Sequence, residues 1–287
     1  MEIGLIMFPT GEAIAPAKLA FEAEERGFES LWFPEHSHIP VSRETPWGGR
    51  EGAPPLPPEY WRSLDQFVAL TDAAAATERI RIGTGICLVA QRDPIWTAKQ
   101  VASLDHVSGG RMMFGIGYGW NREEMANHGV PYDRRRDILR EKVLAMQQIW
   151  SHDEAEFHGE YVDFDPIWSW PKPTTRPWPP VILGGGAGPK TMRHIVEFCD
   201  GWMPIAGRGG AADFKSKVAE LQDLCEEECR DVDELEIGIF GPRPDLEVLE
   251  GYAHLGVARA VLMLPPAPEA EILPLLDEWM TLGPKLP

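Results

Sequence analysis

Basic residues are scarce in this sequence. Lysine and arginine together number 27 against 45 aspartates and glutamates, which gives a formal net charge of −18 at pH 7. Nucleic acids and anionic membranes bind proteins through clustered positive charge. The charge balance therefore predicts that neither is a partner. An anionic small molecule can still be bound, because backbone N–H groups at a helix N-terminus and a few placed cations suffice to hold it.

Cysteines and metal-ligand patterns are equally sparse. The chain has four cysteines, at Cys87, Cys199, Cys225 and Cys229. The last two stand one helical turn apart, but no second pair of cysteines or histidines completes a zinc pattern. His36 and His38 lie two residues apart, again without a third ligand cluster in the sequence. We therefore expect free thiols and no metal site.

No stretch of the sequence has the length and composition of a membrane segment. None of the apolar runs approaches the ~20 residues that a spanning helix needs. The first residues, Met1–Phe8, lack the basic region of a secretory signal peptide. We expect a cytoplasmic protein with no membrane partner.

What the sequence does contain is a repeated alternation of short apolar runs and helical segments. Eight runs are predicted to be β-strands: Ile3–Phe8, Ser30–Phe33, Ile80–Leu88, Met112–Ile116, Val181–Leu183, Gly201–Ile205, Leu235–Ile239 and Arg259–Leu264. Parallel strands need helical crossovers, and eight β-then-α units in 287 residues are typical of a (β/α)₈ TIM barrel. A doubly wound open sheet would show the same alternation. The count of eight favours the barrel, formed as one domain over residues 1–287.

The segments between the strands have helical periodicity. Apolar residues three or four positions apart predict buried helix faces. One face comprises Leu64, Phe67, Val68, Thr71 and Ala75, and another comprises Leu139, Val143, Met146 and Ile149.

Three long stretches interrupt the repeat, at residues 36–60, 117–133 and 154–180. Long excursions of this kind are usually binding loops or lids. The first two follow the carboxyl ends of strands, where barrels build their active sites, so we expect them to lie over that mouth. The third contains an alternating segment, Ala155–Phe164, which predicts a hairpin turning at His158–Gly159.

A glutamate and a histidine, Glu35 and His36, follow the second predicted strand. Imidazole titrates near neutrality, so a histidine at the carboxyl end of a strand can act as a general acid or base. Both residues are candidate catalytic groups. The alternative is a hydrogen-bonded loop histidine with no chemical role.

Glycines mark three further strand ends. Gly83–Leu88 and Gly115–Trp120 place glycines at strand ends, where glycine often marks a bulge or a close approach by backbone or ligand. The third segment, Leu183–Thr191, leads from a strand into a helix and is mostly small residues. Its exposed N–H groups at a helix N-terminus would form a phosphate cradle. A tight structural turn is the alternative.

Together these residues resemble the bacterial luciferase-like superfamily, in particular its deazaflavin-dependent oxidoreductases. The resemblance covers nearly the whole chain and rests on the order and spacing of several motifs. These are Gly27–His36, Gly83–Ile86, Gln91–Pro94, Ser103–Arg111, Phe114–Glu124, Lys172–Pro173 with Pro179–Gly186, and Asp200–Trp202.

The resemblance implies a cofactor ring in the barrel mouth, with coenzyme F420 expected and FMN as the alternative. It implies a cis peptide at Gly85–Ile86 that supports the ring, and a cofactor contact and a catalytic histidine at Glu35 and His36. The implied cofactor-binding residues are Gly85, Ile86, Gly117, Tyr118, Gly184, Gly185, Gly186 and Gly188. F420 carries an anionic lactyl–oligoglutamate tail beyond its phosphate. Candidate cations for the tail are Lys190, Arg193 and Arg208, which are otherwise ordinary surface charges.

Two positions, Trp120 and Leu88, depart from the family pattern, and Trp120 bears on the substrate. Sugar-phosphate dehydrogenases of this superfamily carry a glutamate directly after the glycine that follows strand four, and Trp120 stands there in this chain. A wall of Trp120 with Trp47 or Trp168 points to an apolar or heterocyclic small-molecule substrate. Three functions remain open: an F420-dependent hydride transferase, an FMN-dependent monooxygenase and a non-catalytic flavin-binding relative. We also expect a homodimer.

Overall fold

Eight parallel strands form a closed barrel, which confirms the predicted (β/α)₈ TIM fold. The structure is a computed structural model and describes residues 1–207 and 210–286. Around the barrel the strands run β1, β2, β3, β4, β7, β8, β9, β10 and back to β1. Their bounds are Glu2–Ile6, Ser30–Phe33, Arg81–Thr84, Met112–Ile116, Val181–Gly184, Gly201–Met203, Glu236–Phe240 and Arg259–Met263. Closure comes from the parallel pairing of β1 with β10, in which Gly4 lies opposite Val261.

The helices pack around the barrel. They are α1 Pro16–Glu25, α2 Glu59–Arg62, α3 Gln66–Ala75, α4 Pro94–Ser108, α5 Arg122–Asn127, α6 Arg135–Ser151, α7 Pro189–Phe198, α8 Gly210–Glu227, α9 Leu246–Ala253 and α10 Glu269–Trp279. The first turn of α4 shows why the chain becomes helical there. Asp93 accepts a hydrogen bond from the N–H of Trp96, and Pro94 occupies the first helical position, where no N–H is needed.

The predicted buried face of α3 was wrong. Leu64, Val68, Thr71 and Ala75 are exposed, and of the predicted set only Phe67 is buried. The helix instead buries an inward face in which alanine supplies three of the six residues: Gln66, Phe67, Ala69, Leu70, Ala73 and Ala74. Small side chains let neighbouring helices approach closely, and α3 packs against both α1 and α4. The face predicted on α6, by contrast, is buried at all four positions.

The end of the third strand differs from prediction for a local reason. The third predicted strand ran to Leu88, but β3 ends at Thr84 and is followed by a cis peptide bond between Gly85 and Ile86. Strand pairing resumes only as an isolated bridge between Cys87 and Ile116. The strand therefore breaks where the glycine motif predicted a bulge.

The centre of the barrel is filled by the indole of Trp32. Its neighbours in the barrel interior include Ile6, Met113, Ile182, Met203 and Val261. A Cβ at Gly83 would lie 2.3 Å from Trp32 Cε3, so the glycine in β3 makes room for this ring.

At the amino-terminal end of the barrel, Arg259 is buried in an ion cluster. Its Nε donates to Glu29 at 2.6 Å, and its guanidinium also pairs with Glu236. Burial alone would raise the pKa of Glu29, but the hydrogen bonds and charge of Arg259 hold it below the ordinary value. This end of a TIM barrel serves stability rather than catalysis.

The third excursion contains the predicted antiparallel hairpin, β5 Ala155–His158 and β6 Asp163–Ile167. It packs on α6, where Glu141 accepts hydrogen bonds from the backbone of Glu160, Tyr161 and Val162. In the part of the chain that the structure describes, no helix is both long and apolar enough to cross a membrane.

Candidate active site

His36 lies at the mouth of the barrel, the carboxyl end of the strands, and is paired with a buried glutamate. Its Nδ1 lies 2.7 Å from Glu124 Oε2, and the side chains of His36 and Glu124 are 6% and 0% exposed. Both belong to loops that leave strand carboxyl ends: His36 follows β2, and Glu124 is in α5 after β4. A carboxylate at this nitrogen orients the ring and fixes the proton on Nδ1, which leaves Nε2 to exchange a proton.

The position of Glu124 follows from the start of α5. Asn121 is the N-cap and accepts from the N–H of Glu124, three residues later. Glutamate at this position often reaches back to the cap. Here the carboxylate instead contacts His36 and accepts from the N–H of Ser37 at 3.1 Å and from Gln91 Nε2 at 3.3 Å. Several donors thus hold one buried carboxylate beside the histidine.

An aromatic wall surrounds the histidine. The ring centroids of Tyr60 and Trp120 lie 5.2 and 5.6 Å from that of His36. Trp47 packs edge-on against Tyr60 at 5.8 Å. Two of the three predicted tryptophans therefore meet at the site. Trp168 lies on the hairpin instead, 78% exposed, with its indole N–H bonded to Glu154.

The first two excursions are joined across the mouth. Glu123 Oε1 accepts hydrogen bonds from the N–H groups of Glu44 and Thr45, each at 3.0 Å. Burial would raise the pKa of Glu123, but hydrogen bonds from the side chain and backbone of Thr45 and the backbone of Glu44 lower it. The guanidinium of Arg43 lies over the Trp120 ring at 5.6 Å. Residues 36–60 are thereby held against the segment that carries Glu124.

Glu35 is held by a different set of donors. Its Oε2 accepts from the N–H of Leu88 at 2.7 Å, and its Oε1 accepts from Arg92 Nε at 2.7 Å. Both oxygens are occupied by the loop after β3, which is the pattern of an anchor between β2 and that loop. A catalytic role for Glu35 stays a prediction.

The predicted ring-binding residues converge around Ile86. A Cβ at Gly117 would lie 2.3 Å from Ile86 Cδ1, and a Cβ at Gly184 would lie 2.8 Å from Ile86 Cγ2. The ends of β4 and β7 therefore need glycine to accommodate this side chain. Gln66 Nε2 supports the same region by donating to the carbonyl of Phe33 at 2.6 Å.

The glycine loop between β7 and α7 presents backbone rather than side chains. A Cβ at Gly185, Gly186 or Gly188 would meet no atom within 4 Å. Among the described residues, the N–H groups of Gly186 and Ala187 form no hydrogen bond. They line a pocket with Trp202, Phe214 and Lys217, at the start of α7. This arrangement fits a bound phosphate.

Beneath this loop, Tyr118 and His194 form a buried pair. The Tyr118 hydroxyl lies 2.9 Å from His194 Nδ1. Burial, the largest influence, lowers the pKa of His194 to about 4, so the imidazole is neutral at pH 7. Burial also raises the pKa of Tyr118. The side chain of Tyr118 joins β4 to α7, and its predicted contact with the cofactor stays a prediction.

The three cations suggested for the cofactor tail have different surroundings. Lys190 forms an ion pair with Asp137 at the start of α6. Arg193 is exposed on α7. Arg208 lies outside the described residues.

Several site residues were not anticipated from the sequence. The sequence analysis gave no role to Glu124, Tyr60 or Glu123, although Glu124 lay inside a motif of the resemblance. The spacing Asn121-x-x-Glu124 is typical of a helix start, so the glutamate has a structural explanation there as well. In the described part of the chain the four cysteines are free, and no group of metal-ligating side chains could hold an ion.

The chain belongs to the luciferase-like monooxygenase family, whose family profile matches residues 11–243. It is 39% identical over 267 residues to an uncharacterised protein of Mycobacterium tuberculosis, covering 92% of each chain. It is 30% identical over 207 residues to the F420-dependent glucose-6-phosphate dehydrogenase of Kineococcus radiotolerans, covering 70% of this chain but only 56% of that enzyme.

Solved structures share the fold. An F420-dependent secondary alcohol dehydrogenase in complex with an F420–acetone adduct superposes with a TM-score of 0.72 at 19% identity, covering 100% of this chain and 99% of that one. A monooxygenase from Streptomyces bottropensis gives a TM-score of 0.71 at 20% identity, covering 99% and 79%. The family membership makes this chain an oxidoreductase of the luciferase-like class.

Proposed function

We propose that the protein transfers a hydride between coenzyme F420 and an apolar or heterocyclic organic substrate. The observation that carries this proposal is the buried His36–Glu124 pair at the barrel mouth, where the glycine loop suited to a phosphate also lies. The relatives named as F420-dependent support the choice of cofactor.

The residues that would hold the cofactor are those that converge at the mouth. Gly85, Ile86 and Gly117 would support the ring, and the N–H groups of Gly186 and Ala187 would bind the phosphate. When bound, the deazaflavin supplies the carbon that gives or accepts the hydride. The protein's own contribution is position, exclusion of water and proton transfer.

His36 would exchange a proton with a substrate oxygen or nitrogen, and this proton accompanies hydride transfer to or from the adjacent substrate carbon. Glu124 keeps the proton on Nδ1 and stabilises the ring when Nε2 also becomes protonated. Because Glu35 is engaged by Leu88 and Arg92, we assign the proton transfer to His36.

The aromatic wall defines the substrate class. Tyr60 and Trp120 flank His36, so the substrate would pack against rings on at least two sides. A sugar phosphate would need charged or strongly polar partners in this place, and Trp120 stands where relatives specific for sugar phosphates have a glutamate. We therefore favour a substrate with an apolar body and one oxidisable or reducible polar group.

The cofactor assignment is tested by equilibrium titration with F420 and with FMN. We expect F420 to bind more tightly, and its affinity to fall more steeply than that of FMN as salt rises, because its anionic tail is attracted by screened surface charges. Tighter binding of FMN at every salt concentration would favour the second candidate, an FMN-dependent monooxygenase. The family and the Streptomyces neighbour are both named as monooxygenases. Tight cofactor binding without turnover in either redox state would favour a binding protein.

The catalytic assignment is tested by His36→Gln and Glu124→Gln. We expect His36→Gln to lower turnover by about 10²–10⁴-fold, the usual loss of a general acid or base, with cofactor affinity changed only a few fold. Glu124→Gln keeps the shape but removes the charge, so we expect a smaller loss of turnover. Single-turnover absorbance of the deazaflavin measures both. Unchanged turnover in His36→Gln would leave His36 only a packing role.

We also propose that the protein forms a homodimer. Sedimentation equilibrium at several concentrations tests this directly, with and without F420. A mass of one chain at all concentrations would reject it.

A further inference from the structure

Four arginines at or near the start of α6 form no ion pair among the described residues. Arg122 is in α5, Arg134 immediately precedes α6, and Arg135 and Arg136 begin α6. Among the described residues, no carboxylate lies within 4.0 Å of their guanidinium nitrogens. This is unusual in a chain with 45 acidic and 27 basic residues. We name these four residues the arginine cluster.

The cluster is organised by aromatic rings. The guanidinium carbons of Arg122 and Arg135 lie 4.1 and 3.6 Å from the centroid of Tyr132. That of Arg136 lies 4.8 Å from the centroid of Tyr118. These contacts fix the positions of three of the four charges without neutralising them.

The electrostatics of the cluster are unfavourable in the protein alone. Cations at the N-terminus of a helix oppose its dipole, and α6 is 17 residues long with no side-chain cap at Arg134. Burial, together with the charges of Arg136 and Arg122, lowers the pKa of Arg135 although Tyr132 and Asp133 oppose this. The Nε of Arg135 is also a buried donor without a partner among the described residues. An anion bound here would relieve all three features.

The cluster lies beside the proposed phosphate site. Asp137, the next residue of α6, is ion-paired with Lys190 in the first turn of α7, which directly follows the glycine loop. Tyr118, under Arg136, is hydrogen-bonded to His194 of the same helix. An anionic chain leaving a phosphate at Gly186 would therefore have these arginines within its reach.

We propose that the arginine cluster binds the carboxylate-bearing end of the ligand whose phosphate lies at the glycine loop. This inference rests on the proposed function, since the glutamyl tail of F420 has that chemistry. The arginine cluster replaces Lys190 as the main cation proposed for the tail, because the charge of Lys190 is already matched by Asp137.

The test compares F420 carrying a glutamyl tail with F420 lacking glutamates, by fluorescence titration against the complete chain. The variant is Arg134→Gln combined with Arg136→Gln. We expect it to weaken binding of the tailed form about tenfold, as for two partly exposed ion pairs, and of the tail-less form less than threefold. Arg122→Gln should act in the same direction, and circular dichroism should show unchanged folding.

Two control variants remove a positive charge elsewhere. Arg140→Gln lies on the same helix, but its guanidinium is already paired with Glu197, so we expect the two forms of F420 to bind as they do to the wild type. Lys217→Gln removes a charge from the lining of the phosphate pocket itself, so it should weaken both forms of F420 alike. The assignment would be overturned if Lys217→Gln selectively lost affinity for the tailed form. It would also be overturned if Arg140→Gln lost as much affinity for the tailed form as the double arginine variant.

The outcomes separate this inference from the proposed function. If both forms of F420 bind the wild type equally and the arginine variants change nothing, F420 remains the cofactor and the arginine cluster is not its tail site. If neither form binds while FMN does, the proposed function fails and this inference fails with it.

Discussion

Gly186 is a position at which the protein itself leaves room for a side chain. Its Cβ would meet no atom within 4 Å, and its backbone does not need the left-handed region. We expect Gly186→Val to change the free energy of unfolding by less than about 1 kcal/mol, as for other open surface positions. The isopropyl group would occupy the place of the phosphate, so cofactor affinity should fall at least tenfold, as measured by titration.

A matched control is Gly251→Val, which adds the same group at an exposed position of α9 where it also meets nothing. It should bind cofactor like the wild type. Gly185 is less suitable for this test, because its φ of +130° strains any other residue, and loss of fold would accompany loss of binding. Normal cofactor affinity in Gly186→Val would place the phosphate elsewhere.

At the scale of elements, the loop of residues 36–60 is held over the mouth chiefly by contacts with α5. Glu123→Ala removes the acceptor for the N–H groups of Glu44 and Thr45. We expect the loop to open more often, so trypsin should cleave after Arg43 and Arg50 several-fold faster. Glu154→Ala, on the hairpin, is the control and should leave these rates unchanged. Equal cleavage rates in wild type and Glu123→Ala would show that other contacts hold the loop.

The buried Tyr118–His194 pair, which joins β4 to α7, should make the free energy of unfolding depend on pH. The folded pKa of His194, about 4, lies below the ordinary 6.5, so the unfolded chain takes up a proton that the folded chain does not as pH falls below 6.5. The free energy of unfolding is therefore highest above pH 6.5, and it falls as the pH is lowered towards 4. Between pH 7 and pH 4.5 the free energy of unfolding of the wild type should fall by about 2 kcal/mol more than that of His194→Asn, as measured by urea unfolding. Parallel pH profiles would contradict this assignment.

The elements also show where sequence patterns succeed. Strands such as Ser30–Phe33 and Met112–Ile116 were predicted with their observed bounds, because buried parallel strands are continuous apolar runs. The inward face of α3 was missed because alanines carry a weak hydrophobic signal, and the larger Leu64 and Val68 point outward. Packing between helices decided that face, and a single sequence does not report it.

At the scale of the whole molecule, stability and chemistry occupy opposite ends of the barrel. Arg259 is 4% exposed and pairs with Glu29 and Glu236 at the amino-terminal end. Arg259→Met would leave carboxylates partly buried without a counter-charge, so we expect a loss of about 3 kcal/mol in the free energy of unfolding. Cofactor affinity measured below the unfolding transition should not change. Arg140→Gln, which breaks the half-exposed pair with Glu197, should cost less than about 1 kcal/mol.

The distance of each site residue from a strand end explains how much of the site was predictable from the sequence. His36 and the glycines stand directly at strand ends, so the barrel prediction alone brought them to one mouth. Glu124, Tyr60 and Glu123 reach the site through the folding of long loops, whose path depends on contacts between residues far apart in sequence. His36 and Glu124 are separated by 88 positions.

That separation has an evolutionary consequence. The histidine and its carboxylate are carried by two different loops, each of which also contributes one side of the aromatic wall, Tyr60 and Trp120. A change of specificity that exchanged either loop alone would discard half of the pair, so the two loops are expected to be inherited together and to show strong epistasis. Chimaeras with a relative should recover turnover only when residues 36–60 and 117–133 are transplanted as one unit.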